Sequence, residues 1–167
     1  MTTTALIIAV LFIGIIATGV MDLWAFFQRR IVGIHTLDYA LVGRWLGLMR
    51  RGQFQHQSII SAPTIRYERL LGWLAHYAIG IIFTMILVAI VGPAWLRQPT
   101  LMPALMAGVI SVAAPWLIMQ PAFGLGIAAA RTPSPRQARW RSVLTHTVFG
   151  CGLYAAAVLF NFFRPLL

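Results

Sequence analysis

Charged residues are scarce in this sequence. They make up 10% of the 167 residues, whereas about a quarter of a typical soluble domain is charged. Lysine is absent and three residues are acidic, while 60% of the chain is hydrophobic and its mean hydropathy is +0.83. There is too little polar surface to cover a soluble globule, and a disordered chain would be far less hydrophobic. The composition therefore indicates an integral membrane protein.

Residues that signal a particular chemistry are also few. Cys151 is the single cysteine, which excludes a disulfide within the chain. The sequence contains no G-x-S-x-G, Walker A or H-E-x-x-H motif and no acidic cluster that would hold a metal. We therefore assign no catalytic residue and no metal ligand, predict no cofactor, and expect that the protein is not an enzyme.

Long apolar segments are what the sequence has instead. A helix needs about 20 apolar residues to cross a bilayer, and four segments meet this requirement. They predict an all-α polytopic membrane protein, a four-transmembrane-helix bundle that forms a single membrane domain over residues 1–167. The predicted spans are residues 5–27, 70–91, 101–119 and 142–163.

The third span is predicted to be irregular. The uncharged stretch that contains it holds Pro103, Pro115 and Pro121, and proline removes a helical hydrogen bond and clashes with the preceding turn. We expect a helix from Pro103 to Met119 that is kinked near Pro115, followed by a break or loosened turn at Gln120 and Pro121. A broken helix needs protein or water around it rather than lipid.

Arginine is distributed unequally between the two ends of the spans. The loops 28–69 and 131–141 carry eleven arginines, whereas the opposite side carries only Arg97 and Arg164. Basic residues concentrate in the cytoplasmic loops of membrane proteins. We therefore predict that both loops are cytoplasmic and that both termini lie outside. The positive charge is a topology signal, and we predict no nucleic-acid partner.

The first cytoplasmic loop is predicted to contain a helix. Thr36 is a candidate N-cap and Gly52 a candidate stop, and the residues between them have one apolar face and one face with Arg44, Arg50 and Arg51. This pattern predicts an amphipathic helix over residues 37–51 that lies in the membrane interface with its arginines toward lipid phosphates. Docking of a partner protein is the alternative interpretation.

Polar and small residues recur every four positions within the spans. This spacing places them on one stripe of each helix. Small residues let helices approach closely, and polar residues then hydrogen-bond across the contact, so we expect each stripe to face the bundle. The stripes comprise Gly14, Thr18 and Asp22; Glu68, Gly72, His76, Gly80 and Thr84; Ala104, Gly108, Gln120 and Gly124; and Ser142, His146, Gly150 and Tyr154.

Four of these side chains form the candidate site, a polar layer inside the membrane. Asp22, His76 and His146 lie five to seven residues from the arginines that flank their spans, which is roughly 8–11 Å at about 1.5 Å per residue; Gln120 lies somewhat deeper. An unpaired carboxylate in the bilayer costs at least about 2.5–3.5 kcal/mol, so we expect Asp22 to pair with a histidine. Further candidates that flank the layer are Thr18, Met21, Glu68 and Met119.

Several runs of the sequence resemble a known family. They are MDLWAFFQRR, ALVGRWLG, GWLAHYAIGIIF, PTLMPAL, MQPAFGLGIAAARTPSP and THTVFGCGLYAA, and they are spread over almost the whole chain. They resemble the uncharacterised bacterial inner-membrane family known as domain of unknown function 2938. The resemblance implies a bacterial multi-pass inner-membrane protein, and it implies neither an activity nor functional residues.

Three interpretations of the polar layer are left open, and the specific activity stays unassigned. In the first, the layer only joins the four helices. In the second, it belongs to a small-solute or proton-coupled transporter component, for which a homodimer would supply enough enclosed volume. In the third, His76 and His146 bind haem or a transition metal, with Met21 and Met119 as further donors. The expected partners are the lipid bilayer and an unidentified small molecule.

Overall fold

The computed structural model describes residues 2–34 and 36–163. These residues form helices, turns and loops, and none of them lies in a β-strand. Within this part of the chain, four helices are long and apolar enough to cross a membrane. The prediction of an all-α protein with four candidate spans is thereby confirmed.

The helices, numbered in chain order, are α1 (Thr3–Ile31), α2 (Tyr39–Met49), α3 (Glu68–Val91), α4 (Leu101–Ser111), α5 (Gln120–Ala122) and α6 (Pro135–Phe163). The third candidate span, Leu101–Ala122, consists of α4, a π-helical turn (Pro115–Met119) and α5.

Two spans extend further than predicted at their arginine-rich ends. Helix α1 continues through Arg29 and Arg30, and α6 begins at Pro135, before the predicted start of the fourth span. Charge ends an apolar run but not a helix, because arginine is a good helix former and proline suits the first helical position. Most of the predicted loop 131–141 is therefore the beginning of α6. Arg164, the predicted stop of this span, lies outside the described residues.

The third span changes its helix type near its prolines. Helix α4 ends at Ser111, and in the π turn Pro115–Met119 the amide of Gln120 donates to the carbonyl of Pro115. A π turn is wider than an α turn, and such local adjustments keep backbone groups bonded near prolines in membrane helices. The loosened turn therefore lies before Gln120, and the kink near Pro115 stays a prediction.

Of the break or loosened turn predicted at Gln120 and Pro121, the break does not occur. The backbone is helical through α5, and the chain turns at Gly124, whose φ of +88° favours glycine. A side chain on Gly124 would also collide with the carbonyl oxygen of Gln57. The proline is tolerated inside the helical segment because the preceding π turn shifts the hydrogen-bond pattern.

Helix α2 is shorter than the predicted loop helix, and it has a different cap. It begins at Tyr39, and the carboxylate of Asp38 accepts a hydrogen bond from the amide of Ala40 at 3.0 Å. The predicted cap, Thr36, is therefore wrong, in keeping with the stronger preference for aspartate over threonine at this position.

The described residues form two compact units. The first is built from α1, α4 and the parts of α3 and α6 that begin at Tyr77 and Leu144. Small residues make its helix contacts close: a Cβ on Gly14 would lie 2.8 Å from a backbone Cα of α3, and a Cβ on Gly108 would lie 2.6 Å from the Cα of Gly150. The predicted stripes face neighbouring helices at these positions, and the close approach is confirmed there.

The second unit comprises residues 36–76 and 112–143. Its core includes Trp45 of α2, which is buried and lies edge-on to Phe123 with ring centroids 5.9 Å apart. The amide of Ile59 donates to the carbonyl of Phe123 at 3.2 Å. The loop after α2 is thus hydrogen-bonded to the segment that follows α5. The assignment of residues 1–167 to a single membrane domain stays a prediction.

Candidate functional site

The carboxylate of Asp22 in α1 is hydrogen-bonded by a side chain of α3. The hydroxyl of Tyr77 donates to Oδ2 of Asp22 at 2.9 Å, and both residues are half-buried. A hydrogen bond from a neighbouring helix satisfies a polar group that lipid could not. The predicted pairing of Asp22 with a histidine stays a prediction.

Sequence reasoning missed Tyr77 because it lies one residue beyond the four-residue stripe that contains His76. A usable signal was present, since the hydroxyl of a buried tyrosine ordinarily finds a hydrogen-bond partner. A tyrosine inside a span that is otherwise apolar is therefore itself a candidate partner for an intramembrane acid.

His146 in α6 is hydrogen-bonded to a serine of α4. Its Nδ1 lies 2.7 Å from Oγ of Ser111, and that Oγ also donates to the carbonyl of Gly108 at 2.6 Å. The hydroxyl of Ser111 thus lies between a backbone carbonyl of its own helix and the imidazole of α6, and the tautomer of His146 sets the direction of the second hydrogen bond.

Ser111 was also missed, and its spacing explains why. It lies three residues after Gly108, on the same helical face, whereas the sequence argument followed only the four-residue repeat. Asp22, Tyr77, Ser111 and His146 all belong to the first unit and come from four different candidate spans. Polar hydrogen bonds thus join α1 to α3 and α4 to α6.

His76 and Gln120, the other two residues of the predicted layer, belong to the second unit. The ring of His76 stacks on Tyr39 with centroids 4.1 Å apart and lies edge-on to Trp73 at 6.0 Å. Gln120 is 7% exposed, and its Oε1 has no hydrogen-bond partner among the described residues. The convergence of all four predicted side chains in one layer stays a prediction.

Three of the flanking candidates, Thr18, Met21 and Met119, make contacts typical of helix packing. The buried hydroxyl of Thr18 donates to the carbonyl of Gly14 at 2.7 Å, within its own helix. Met21 packs against the core of the first unit and Met119 against the core of the second. These contacts are those of packing residues.

The fourth flanking candidate, Glu68, forms an ion pair with Arg44 of α2. Nε of Arg44 donates to Oε2 and Nη2 donates to Oε1, both at 2.9 Å. Arg44 is 8% exposed, so the prediction that it faces lipid phosphates is wrong. A helical wheel of one segment cannot show that the acid needed to bury this arginine comes from another helix.

Further hydrogen bonds hold this ion pair in place. Nη1 of Arg44 lies 3.2–3.3 Å from the carbonyl oxygens of Ile59, Ile60 and Ala62, and Glu68 accepts from the amide of Ile65 at 3.2 Å. The hydrogen bond with the carboxylate raises the pKa of the Arg44 guanidinium, and burial opposes this rise.

Glycines allow the two helices that carry the ion pair to touch. A Cβ on Gly43 would collide with the backbone of Glu68, and a Cβ on Gly72 would collide with the carbonyl of Tyr39. Because the blocking atoms belong to the backbone, no side-chain rotation would relieve the clash. The contact between α2 and the start of α3 is therefore specified by both packing and charge.

Within the described residues, no group of three or more histidine, cysteine, aspartate or glutamate side chains is placed to hold a metal ion. The geometry therefore adds no support to the haem or metal interpretation, which stays a prediction.

One comparison with known proteins finds a match. A family model described as protein of unknown function (DUF2938) matches residues 11–160. No curated protein and no solved structure matches the chain. The matched range contains every residue of the predicted polar layer and both of the newly identified partners, Tyr77 and Ser111.

Proposed function

The chain belongs to the DUF2938 family of proteins of unknown function, and we propose that it is a small multi-pass protein of the bacterial inner membrane whose buried polar side chains join neighbouring spans. The hydrogen bond between Tyr77 and Asp22 carries this proposal. In a bilayer, where water cannot satisfy polar groups, such bonds help to hold helices together. The bond between Ser111 and His146 supports the same role on the other two spans.

The arginine distribution supports the proposed orientation. The loops 28–69 and 131–141 lie in the cytoplasm, and both termini lie in the periplasm. Helix α2 lies in the membrane interface, where the exposed Arg50 and Arg51 at its end contact lipid phosphates while Arg44 stabilises its contact with α3. Labelling of single cysteines introduced into each loop of a chain with Cys151→Ala, using a reagent that does not cross the membrane, tests this topology.

A second function, as a proton-coupled or small-solute transporter component, is favoured by the position of Asp22. Intramembrane acids commonly mark ion or proton pathways. Ionised Asp22 accepts a hydrogen bond from Tyr77, whereas protonated Asp22 is itself a donor, so protonation changes the contact between α1 and α3. A homodimer would supply the enclosed volume that four short spans lack.

Two variants separate the joining role from the transport role. Asp22→Asn removes the charge but keeps an oxygen that accepts from Tyr77, and Tyr77→Phe removes the hydrogen bond but keeps the charge. If the bond joins helices, Tyr77→Phe should lower the free energy of unfolding by about 0.6–1.7 kcal/mol, while Asp22→Asn changes it less. If Asp22 carries protons, Asp22→Asn should abolish proton uptake by liposomes that contain the full chain.

The control for these variants is Tyr154→Phe, which removes a tyrosine hydroxyl from α6 without touching Asp22. Unfolding is followed in mixed detergent micelles, and proton uptake with a pH-sensitive dye enclosed in the liposomes. Unchanged stability in Tyr77→Phe would contradict the joining role, and proton uptake at the wild-type rate in Asp22→Asn would contradict the transport role.

We propose neither a cofactor nor an enzymatic activity. An absorption spectrum and elemental analysis of the purified protein test the first point. A haem absorption band or a stoichiometric transition metal would contradict it and would return attention to His76 and His146.

A further inference from the structure

A cleft lies between the start of α6 and the π turn of the third span. Its volume is about 240 Å³, and it is lined by Trp116, Arg136, Arg139, Trp140 and Val143. The four lining residues from α6 follow the spacing i, i+3, i+4 and i+7, which places them on one face of the helix. All five residues belong to the second unit.

The segment that carries this cleft is positively charged. Residues 131–141 contain four arginines and no acidic residue. Nε of Arg139 donates to the carbonyl of Ala128 at 2.8 Å, which fixes the side chain and leaves its terminal amino groups for another acceptor. Arg136 is exposed and lies one helical turn earlier on the same face. Two arginines therefore lie on the face of α6 that lines the cleft.

The rest of the lining is aromatic and apolar. Trp140 is 72% exposed. The buried Nε1 of Trp116 has no hydrogen-bond partner among the described residues. Tryptophan rings are enriched at the level of lipid headgroups, where one end of the side chain is apolar and the other is wet. The cleft thus combines cationic donors with indole rings.

We propose that this cleft binds the headgroup of an anionic phospholipid, with the phosphate held by Arg136 and Arg139 and the adjoining glycerol packed against Trp140 and Val143. Pockets that enclose a whole drug-sized molecule usually measure about 300–1,000 Å³, so the cleft fits a headgroup whose acyl chains remain in the bilayer. Basic pockets beside cytoplasmic helix ends are suited to anionic headgroups. The inference rests on the proposed placement of these arginines at the cytoplasmic surface.

Lipid binding by the purified, delipidated full chain tests this proposal. Phosphatidylglycerol and phosphatidylcholine are titrated separately, and bound lipids are counted by native mass spectrometry. The variants are Arg136→Gln and Trp140→Ala, both at exposed positions; Arg139 is left intact because its hydrogen bond supports the preceding loop. The matched control is Arg97→Gln, which removes an exposed arginine from the side of the spans opposite to the loops 28–69 and 131–141.

We expect Arg136→Gln to weaken phosphatidylglycerol binding by about fivefold, the effect of one arginine near an anionic surface, and Trp140→Ala to weaken it as well. Arg97→Gln should leave it within about twofold, because Arg97 lies away from the proposed cytoplasmic surface. An equal loss in Arg97→Gln, equally tight phosphatidylcholine binding, or displacement of the lipid by inorganic phosphate would each overturn the proposal. With an unchanged cysteine-labelling topology, such a result would contradict the headgroup site and not the proposed membrane placement.

Discussion

Replacement of Arg44 by methionine should destabilise the second unit. Methionine keeps much of the apolar volume of the arginine stem but removes the cation that faces Glu68 and the donors to three loop carbonyls. Breaking a buried ion pair on one side typically costs 3–5 kcal/mol, because the remaining charge is left unpaired. The Glu68 side chain is 19% exposed, so water recovers part of this loss and we expect about 3 kcal/mol.

A double-mutant cycle separates the ion pair from the packing around it. Arg44→Met together with Glu68→Gln leaves no unpaired charge, so the double variant should lose clearly less stability than the sum of the two single variants. Arg50→Met is the matched control: it removes an arginine from an exposed position and should change stability by no more than about 0.5 kcal/mol.

Unfolding in mixed detergent micelles, followed by tryptophan fluorescence and circular dichroism, measures these differences. Four of the six tryptophans, Trp45, Trp73, Trp116 and Trp140, lie in the unit concerned, so most of the fluorescence reports on it. A loss below about 1 kcal/mol for Arg44→Met, the range of a surface pair, would refute the reasoning. It would indicate that this arginine faces lipid phosphates, as the pattern of α2 alone suggests.

Two further substitutions test close backbone packing and backbone strain. Gly108→Ala places a Cβ 2.5 Å from the carbonyl oxygen of His146, and we expect it to lower the free energy of unfolding by about 1–3 kcal/mol. The control is Gly19→Ala, whose Cβ would have nothing nearer than 4.0 Å. It should be neutral or stabilising in the same unfolding assay. Ala128→Gly relieves a left-handed backbone with φ +48° and ψ +46° and should stabilise by up to about 1 kcal/mol, whereas Ala130→Gly, in ordinary helical geometry, should destabilise. Equal effects within either pair would contradict the corresponding argument.

The spans were predictable, but their arginine-rich ends were not. Hydropathy locates the segment that is apolar enough to be stable in lipid, and it changes sign at Arg29 and at Arg141. The helices themselves continue past these residues to Ile31 and back to Pro135. Helix length depends on backbone propensity and capping, so arginine stops the apolar run without stopping the helix.

The sequence predicted which ionisable residues belong to the candidate site, but it did not predict all of their hydrogen-bond partners. Asp22 and His146 stood out because ionisable residues are rare inside spans. Their observed partners, Tyr77 and Ser111, lie one and three residues away from positions on the predicted stripes. An α-helix has about 3.6 residues per turn, so positions four residues apart drift slowly around the helix. This drift is enough to move the contact to a neighbouring residue.

Hydrophobicity alone determined that this chain is all-helical with four candidate membrane spans. Each segment that crosses a bilayer must form its own backbone hydrogen bonds and carry side chains that are stable in lipid, and both properties can be judged from that segment by itself. Tertiary structure alone decided that Arg44 meets Glu68, 24 residues away, and that Tyr77 meets Asp22, 55 residues away. Such contacts depend on how each helix is rotated about its axis and how closely glycines let it approach a neighbour. These are properties of helix pairs, and the pattern within one segment does not contain them.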